Sequence, residues 1–307
     1  MKNKKNVFNQ RRNKDLIFCL LVILIPAIQF GIFYIGVNFN SIAMAFQKFE
    51  IDSQTGKGAF EGNGFNNFIA MFNELRYDKA IGTAFKNSGL AFIVSVGVGT
   101  TLALVFSLYI YKEMFASKTF RVFLFLPSIL SSTITVTMYR NFVETALPEI
   151  FPGVFNGMGL LSNPDTKMFA ILFFMIWIGF GTQILMYSGA MNTIEQSVIE
   201  ASKLDGTNSI QEFVHIILPL IYPTITTFLI TSIAGLFTNQ LSLYSFYGNS
   251  ADEAYRTIGY HLFRQVNTGT RAERPLLAAY SVTLTLIATP ITLFARWAFE
   301  KLGPKTE

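Results

Sequence analysis

Six long apolar runs, separated by polar and glycine- or proline-rich stretches, punctuate the chain at 16–38, 88–111, 120–140, 168–190, 219–241 and 276–297. Crossing a bilayer as a helix takes about 20 mostly apolar residues, so each run reads as a span. Lipid offers backbone groups no hydrogen-bond partners, and none of the runs alternates like a barrel strand, so the spans are helices. The pattern predicts an all-α integral membrane protein with six transmembrane helices. It divides into a basic arm at 1–15, a transmembrane domain at 16–297 and a cytoplasmic tail at 298–307. The intervening segments are mixed. Residues 51–66 are rich in Gly, Asn and polar side chains and read as a loop. Over 67–86, Phe68, Ile69, Met71, Phe72, Leu75, Ala80 and Ile81 recur at helical spacing, which predicts an amphipathic helix at the membrane interface. Breakers crowd 147–164, from Pro148 to Pro164. Ser95, Gly99 and Ala103 form a row of small residues that lets another helix approach closely, and Gly179 and Gly181 serve the same end. Pro26 and Pro290 are expected to kink the first and sixth spans.

Composition reinforces the membrane reading. Of 307 residues, 51% are hydrophobic and 14% charged, against about 25% charged in soluble domains. Mean hydropathy is +0.41, and 32 Phe supply apolar packing area. The net charge of +5 is concentrated informatively: Lys2, Lys4, Lys5, Arg11, Arg12 and Lys14 all precede the first run. Beside a span, such a cluster marks the cytoplasmic side and needs no nucleic acid to explain it. With six spans, both termini then lie inside, together with Lys112, Lys118 and Arg121 between spans two and three. Arg296, Lys301 and Lys305 follow span six. Basic residues on the two sides are nearly balanced in total, but most outside ones sit in long loops, which the rule discounts. Ala43-Met44-Ala45 imitates a signal-peptidase site, yet the apolar run from Leu16 exceeds a typical signal core of about 7–15 residues. The first run is therefore read as a retained span. The single cysteine, Cys19, permits no intrachain disulfide. His215 and His261 stand apart from any ligand cluster, so no metal site is expected.

The segment between spans four and five is too structured for a bare linker. Ile194, Val198, Ile199 and Ala201 place apolar side chains on one side of a short helix, with Glu195, Glu200 and Lys203 between them. Asp205-Gly206 signals a turn, Gly being free to take positive φ. A second short helix follows from about Ser209, with Gln211 and Glu212 in its first turn, toward Pro219. Such a knob could fill a groove on a partner protein or lie on the lipid, and amphipathicity alone does not separate the two.

Glu200-Ala201-Ser202, Asp205-Gly206 and Ile217-Leu218-Pro219 resemble the EAA loop of permease subunits of binding-protein-dependent ABC importers. The spacing matches; Ser202 stands where a second Ala is usual, and Lys203 where a basic residue is. The likeness extends along the chain toward the carbohydrate-uptake, maltose-type branch. It is carried by Ile32-Phe33-Tyr34, Ser41 to Phe46, Asn66-Asn67-Phe68, Lys86-Asn87-Ser88, Arg121 to Pro127 and Trp177 to Gly189. It implies a type I importer permease fold in a prokaryotic cytoplasmic membrane. It also implies a second homologous permease, two ATP-binding-cassette ATPase subunits and an external solute-binding protein. Glu200, Ala201, Ser202, Lys203, Asp205, Gly206, Leu218 and Pro219 would couple this chain to an ATPase. ATP and Mg would sit on the ATPase subunits, with no cofactor on this chain. Accordingly, the sequence contains no phosphate-binding G-x-x-x-x-G-K-[ST] loop, and no nucleophile or metal motif that would make it an enzyme.

For the solute, polar and aromatic residues within spans are the candidates, because hydrocarbon makes polar groups costly without a role. These are Trp177, Gln183 and Tyr187 in span four, and Asn239, Gln240 and Tyr244 at the end of span five. Each also has a packing reading, as interhelical glue or interfacial aromatic. The spans carry no central charge, which favours a neutral solute such as a sugar; the alternative is the same machinery serving glycerol phosphate or another polar nutrient. A secondary transporter would want midplane carboxylates or inverted repeats, and neither is visible.

Overall fold

The computed structural model describes residues 2–51, 56, 58–155 and 157–304, with residues 2–15 described by backbone alone. The basic side chains of the arm and Lys305 thus lie outside the described residues. The chain forms two compact units, Met1–Asn73 with Gly269–Thr283, and Glu74–Thr268 with Leu284–Glu307.

In the first unit, a continuous helix covers Leu16–Met44 with mean hydropathy 2.7 and none of its most apolar window buried. A helix apolar all round with no protein cover is solvated by lipid or by another chain. Pro26 lies inside it, and Phe30–Gly36 adopts the wider π-type hydrogen bonding, a local adjustment that lets a membrane helix absorb such a break. Beyond Met44 the chain makes a β-hairpin, Gln47–Ile51 against Gly58–Gly62, with Phe49 opposite Phe60. Part of the glycine-rich 51–66 segment, Ile51 and Gly58–Gly62, is therefore strand and not loop. The two facing rings, 5.2 Å apart, hold it, and Gly58 leaves the space that the Phe49 ring occupies. Asn67 Nδ2 donates to the carbonyls of Ala45 (2.8 Å) and Gln47 (2.6 Å), fastening the hairpin's base.

The predicted amphipathic helix at 67–86 ends early. A helix covers Asn66–Tyr77; Asp78 is extended, and its carboxylate caps Ala80 N at 2.7 Å. A side-chain cap of this kind starts a new helix, and Lys79–Tyr111 runs on as a single 33-residue apolar rod. Span two thus begins well before residue 88.

In the second unit that rod packs on the 28-residue helix Pro164–Met191. The small-residue row works as packing: Gly99 sits 3.9 Å from the Ile176 side chain by its would-be Cβ. Ala103 is fully buried, and Ser107 Oγ donates to Ile184 O at 3.3 Å. Gly181 meets Ser128 so closely that a Cβ there would lie 2.7 Å from Ser128 Cβ, bringing Ser117–Ile129 against the same helix. Gly179 faces open space.

Two predicted spans are bent. In place of a straight 120–140 helix, Ser117–Ile129 and Ser132–Ile150 meet at 111°. Pro127 weakens the last turn of the first piece. Leu130 and Ser131 are extended, and Ser131 Oγ accepts from Ile134 N to start the second. Likewise Ser209–Leu220 and Tyr222–Ala234 meet at 69°, with Pro219 and Pro223 on either side of Ile221. The fifth span's helix stops at Ala234 rather than 241. There the polar run Thr238-Asn239-Gln240 turns the chain, Asn239 Oδ1 accepting from Leu241 N at 2.9 Å. The last helix, Arg274–Leu302, is longer than its predicted span at both ends and carries Pro290 internally. Among the described residues, four helices are long and apolar enough to cross a membrane, or up to six if each bent pair is one span.

Candidate functional site

Gln196–Leu204 forms the first short helix of the 195–222 segment. Ile199 and Ser202, one turn apart, face inward and are buried, while Glu200, Ala201, Lys203 and Asp205 are exposed. Ser202 explains its own departure from alanine: its hydroxyl donates to Ile199 O at 2.8 Å. Its carbonyl accepts from Thr207 through both N–H (3.2 Å) and Oγ1 (2.8 Å). Gly206 takes φ +77°, a left-handed conformation that a side chain would strain. The second helix begins on a reciprocal cap, with Asn208 Oδ1 accepting from Gln211 N (2.8 Å) and Gln211 Oε1 from Asn208 N (2.9 Å). It runs Ser209–Glu212, then a π-bonded turn Phe213–Ile217, then Leu218–Leu220.

Two short helices on a glycine turn therefore project as a knob whose tips are apolar and uncovered: Leu204 is 89% exposed and Ile210 75%. Its base is fixed. Ile199, Ile217 and Ile221 are buried in one cluster with Ala103, Phe180, Ile184, Tyr187 and Met191. Leu218 and Pro219 are half-buried at the 69° joint and not at the tip. So the structure gathers Glu200, Ala201, Ser202, Lys203, Asp205 and Gly206 on the knob and puts the Leu-Pro pair at its hinge.

One contact at this base was not readable from the sequence. The Glu212 side chain, 3% exposed, meets Lys112 Nζ at 2.5 Å. Neither residue carries a motif, and 100 positions separate them.

The six solute candidates do not converge. Trp177 packs with Tyr139 and Phe174, ring centres 6.1 Å away in each case. Tyr187 is fully buried against Phe228. Gln183 and Gln240 are half-buried, and Gln240 O accepts from Leu243 N in the turn. Tyr244, 43% exposed, stacks edge-on to Phe263. Asn239 lines a cleft of about 260 Å³, shared with Ser88, Phe92, Ser95, Ser232 and Thr238. Its polar lining is hydroxyls and one amide without a charge. Sequence reasoning missed these serines, because Ser95 reads equally as a small packing residue and Ser88 as a span end. A second cleft, of about 520 Å³, lies between Tyr222–Ala234 and the end of the last helix, where Thr226, Thr227 and Thr231 face the paired Arg296 and Glu300.

Residues 95–307 match the family model of the binding-protein-dependent transport system inner membrane component. The probable starch degradation products transport system permease protein AmyD of Thermoanaerobacterium thermosulfurigenes is 25% identical over 233 residues, covering 74% of this chain and 73% of that protein. The lactose transport system permease protein LacF of Rhizobium radiobacter is 26% identical, covering 68% and 71%. The sn-glycerol-3-phosphate transport system permease protein UgpA of Yersinia enterocolitica is 23% identical, covering 75% and 77%. Among solved structures, a bacterial ABC transporter involved in the import of the acidic polysaccharide alginate superposes with a TM-score of 0.75 at 20% identity, over 95% of this chain and 99% of that one. A second structure of such an alginate transporter, also at TM-score 0.75, is in complex with an alginate pentasaccharide-bound periplasmic protein. At that identity the likeness speaks for the fold. With bent and straight apolar helices, a capped knob and a family match over most of its length, this chain belongs to the inner membrane components of binding-protein-dependent transport systems and is a multi-pass transport subunit of the cell membrane.

Proposed function

We propose that the chain is the permease subunit of an importer that takes up a sugar or oligosaccharide delivered by an external solute-binding protein. The energy comes from ATP hydrolysed, with Mg, on two separate ATPase subunits, and a second homologous permease completes the pathway. The observation that carries this reading is the knob, with its exposed Leu204 and Ile210 tips and its buried base. An apolar tip held on a rigid base is shaped to enter a protein groove, helix-in-groove fashion. ATP-driven closure of the ATPase pair would carry the docked knob sideways and rock the bent helices between inward and outward access. Both termini and the knob lie on the cytoplasmic side in this reading.

A neutral, hydroxylated solute is favoured by the uncharged cleft around Asn239. Relatives named for starch degradation products and lactose support the same class. Affinity purification of a tagged copy from native membranes should bring down an ATPase and a second permease. Its cognate receptor should bind a member of a sugar panel. Purification of the chain alone, or a receptor that takes glycerol phosphate and no sugar, would overturn the corresponding half of the proposal.

A further inference from the structure

The Lys112–Glu212 pair joins two parts of the second unit that the chain itself connects only through a long detour. Lys112 ends the Thr100–Tyr111 helix, its N–H bonded to Leu108 O at 2.9 Å. The turn that follows is stiff: Glu113 and Ala116 hold positive φ (49° and 56°), and Tyr109 donates its hydroxyl to Phe115 O at 2.6 Å. Ser117 then opens the next helix. On the other side, Glu212 closes the capped first turn of the knob's second helix. Apolar contacts at the knob's base can slide past one another with little change in energy. A buried carboxylate cannot leave its counter-charge so cheaply, because an unpaired ion in a low-dielectric site is strongly unfavourable. Among the described residues Glu212 is the one buried acid.

We propose that Lys112 and Glu212 are positioning residues that deliver displacement of the knob to the end of the 79–111 helix and, through the stiff 112–116 turn, to Ser117–Ile129. Coupling then reaches these helices directly and not only through the two helices covalently joined to the knob. The inference rests on the reading above, in which a partner ATPase moves the knob.

The test uses the complete complex, with its receptor, in proteoliposomes, and reads the radiolabelled sugar of the panel that the receptor binds, transported per ATP hydrolysed at matched subunit composition. Glu212→Gln removes the buried charge and leaves Lys112, whose side chain is 25% exposed, able to reach water. It is expected to keep the ATPase bound and to lower the ratio by about tenfold, within the range that single links in coupled networks carry. Lys112→Arg, which keeps the charge, is expected to hold the wild-type ratio, and the exchange Lys112→Glu with Glu212→Lys to restore most of it. A wild-type ratio in Glu212→Gln overturns the proposal, because a merely structural pair would change only the yield or melting temperature of the complex. Loss of the ATPase from that variant also overturns it, since the pair would then serve assembly. If the wild-type chain recruits no ATPase, it is the functional reading itself that fails.

Discussion

Gly206 carries the geometry of the knob. At φ +77° a β-branched side chain is strained by about 1–3 kcal/mol, so Gly206→Val should swing the two short helices out of register. The outcome expected is near-complete loss of uptake with normal membrane insertion, while Gly206→Asn, which tolerates the left-handed region, keeps a measurable rate. Uptake unchanged in Gly206→Val would contradict the role given to the turn. His261 acts differently. It lies outside the spans, and burial, helped by Arg256, lowers its pKa from the ordinary 6.5. A histidine held neutral in the folded state contributes stability that is present above its unfolded pKa and is lost as pH falls through 6.5 toward the folded value. The melting temperature in detergent should therefore fall on acidification below pH ~6.5, and His261→Gln should flatten that slope.

Among the elements, the apolar runs were legible because a span is set by length and hydropathy, properties local to the sequence. The turn at Gly206 was legible for a similar reason: one residue type suits one conformation. The bends were not. The 111° break depends on Ser131 turning its hydroxyl back to Ile134 N, and the turn beyond the fifth span's helix on Asn239 accepting from Leu241 N. The asparagine acts beyond the helix, which itself closes at Gly235 with its N–H on Thr231 O; serine and asparagine in a membrane segment could as well have pointed at a neighbouring helix. The hairpin escaped notice because its strands are held by one Phe–Phe pair across a glycine-rich sequence, with little alternation to read. Close helix packing was only half legible: Gly179 and Gly181 look alike, yet Gly181 alone touches a neighbour. Gly181→Val should accordingly cost about 1–3 kcal/mol through overpacking against Ser128, whereas Gly179→Val should be tolerated. Melting temperatures of the two purified variants would check this, and equal values would contradict the packing described.

At the scale of the whole molecule, most of the apolar surface is left to lipid or to other chains. The knob is different: it leaves apolar tips exposed on a base anchored by a core cluster and a buried ion pair. The family resemblance pointed to this loop, but long-range partners such as Lys112 and Glu212 stay invisible in one sequence, since only folding brings them together. The solute pathway was least legible, because Trp177 and Tyr187 are as useful to packing as to recognition. Whether the knob is where this chain meets its ATPase can be read by cross-linking. With Cys19, the only cysteine, replaced by Ser, Leu204→Cys carrying a photoreactive thiol reagent should be irradiated in native membranes. A single major adduct with an ATP-binding-cassette subunit is expected, absent when the reagent is placed at an Ile23→Cys control within the first span. Adducts with lipid alone at Leu204→Cys, in membranes where the transporter is active, would contradict it.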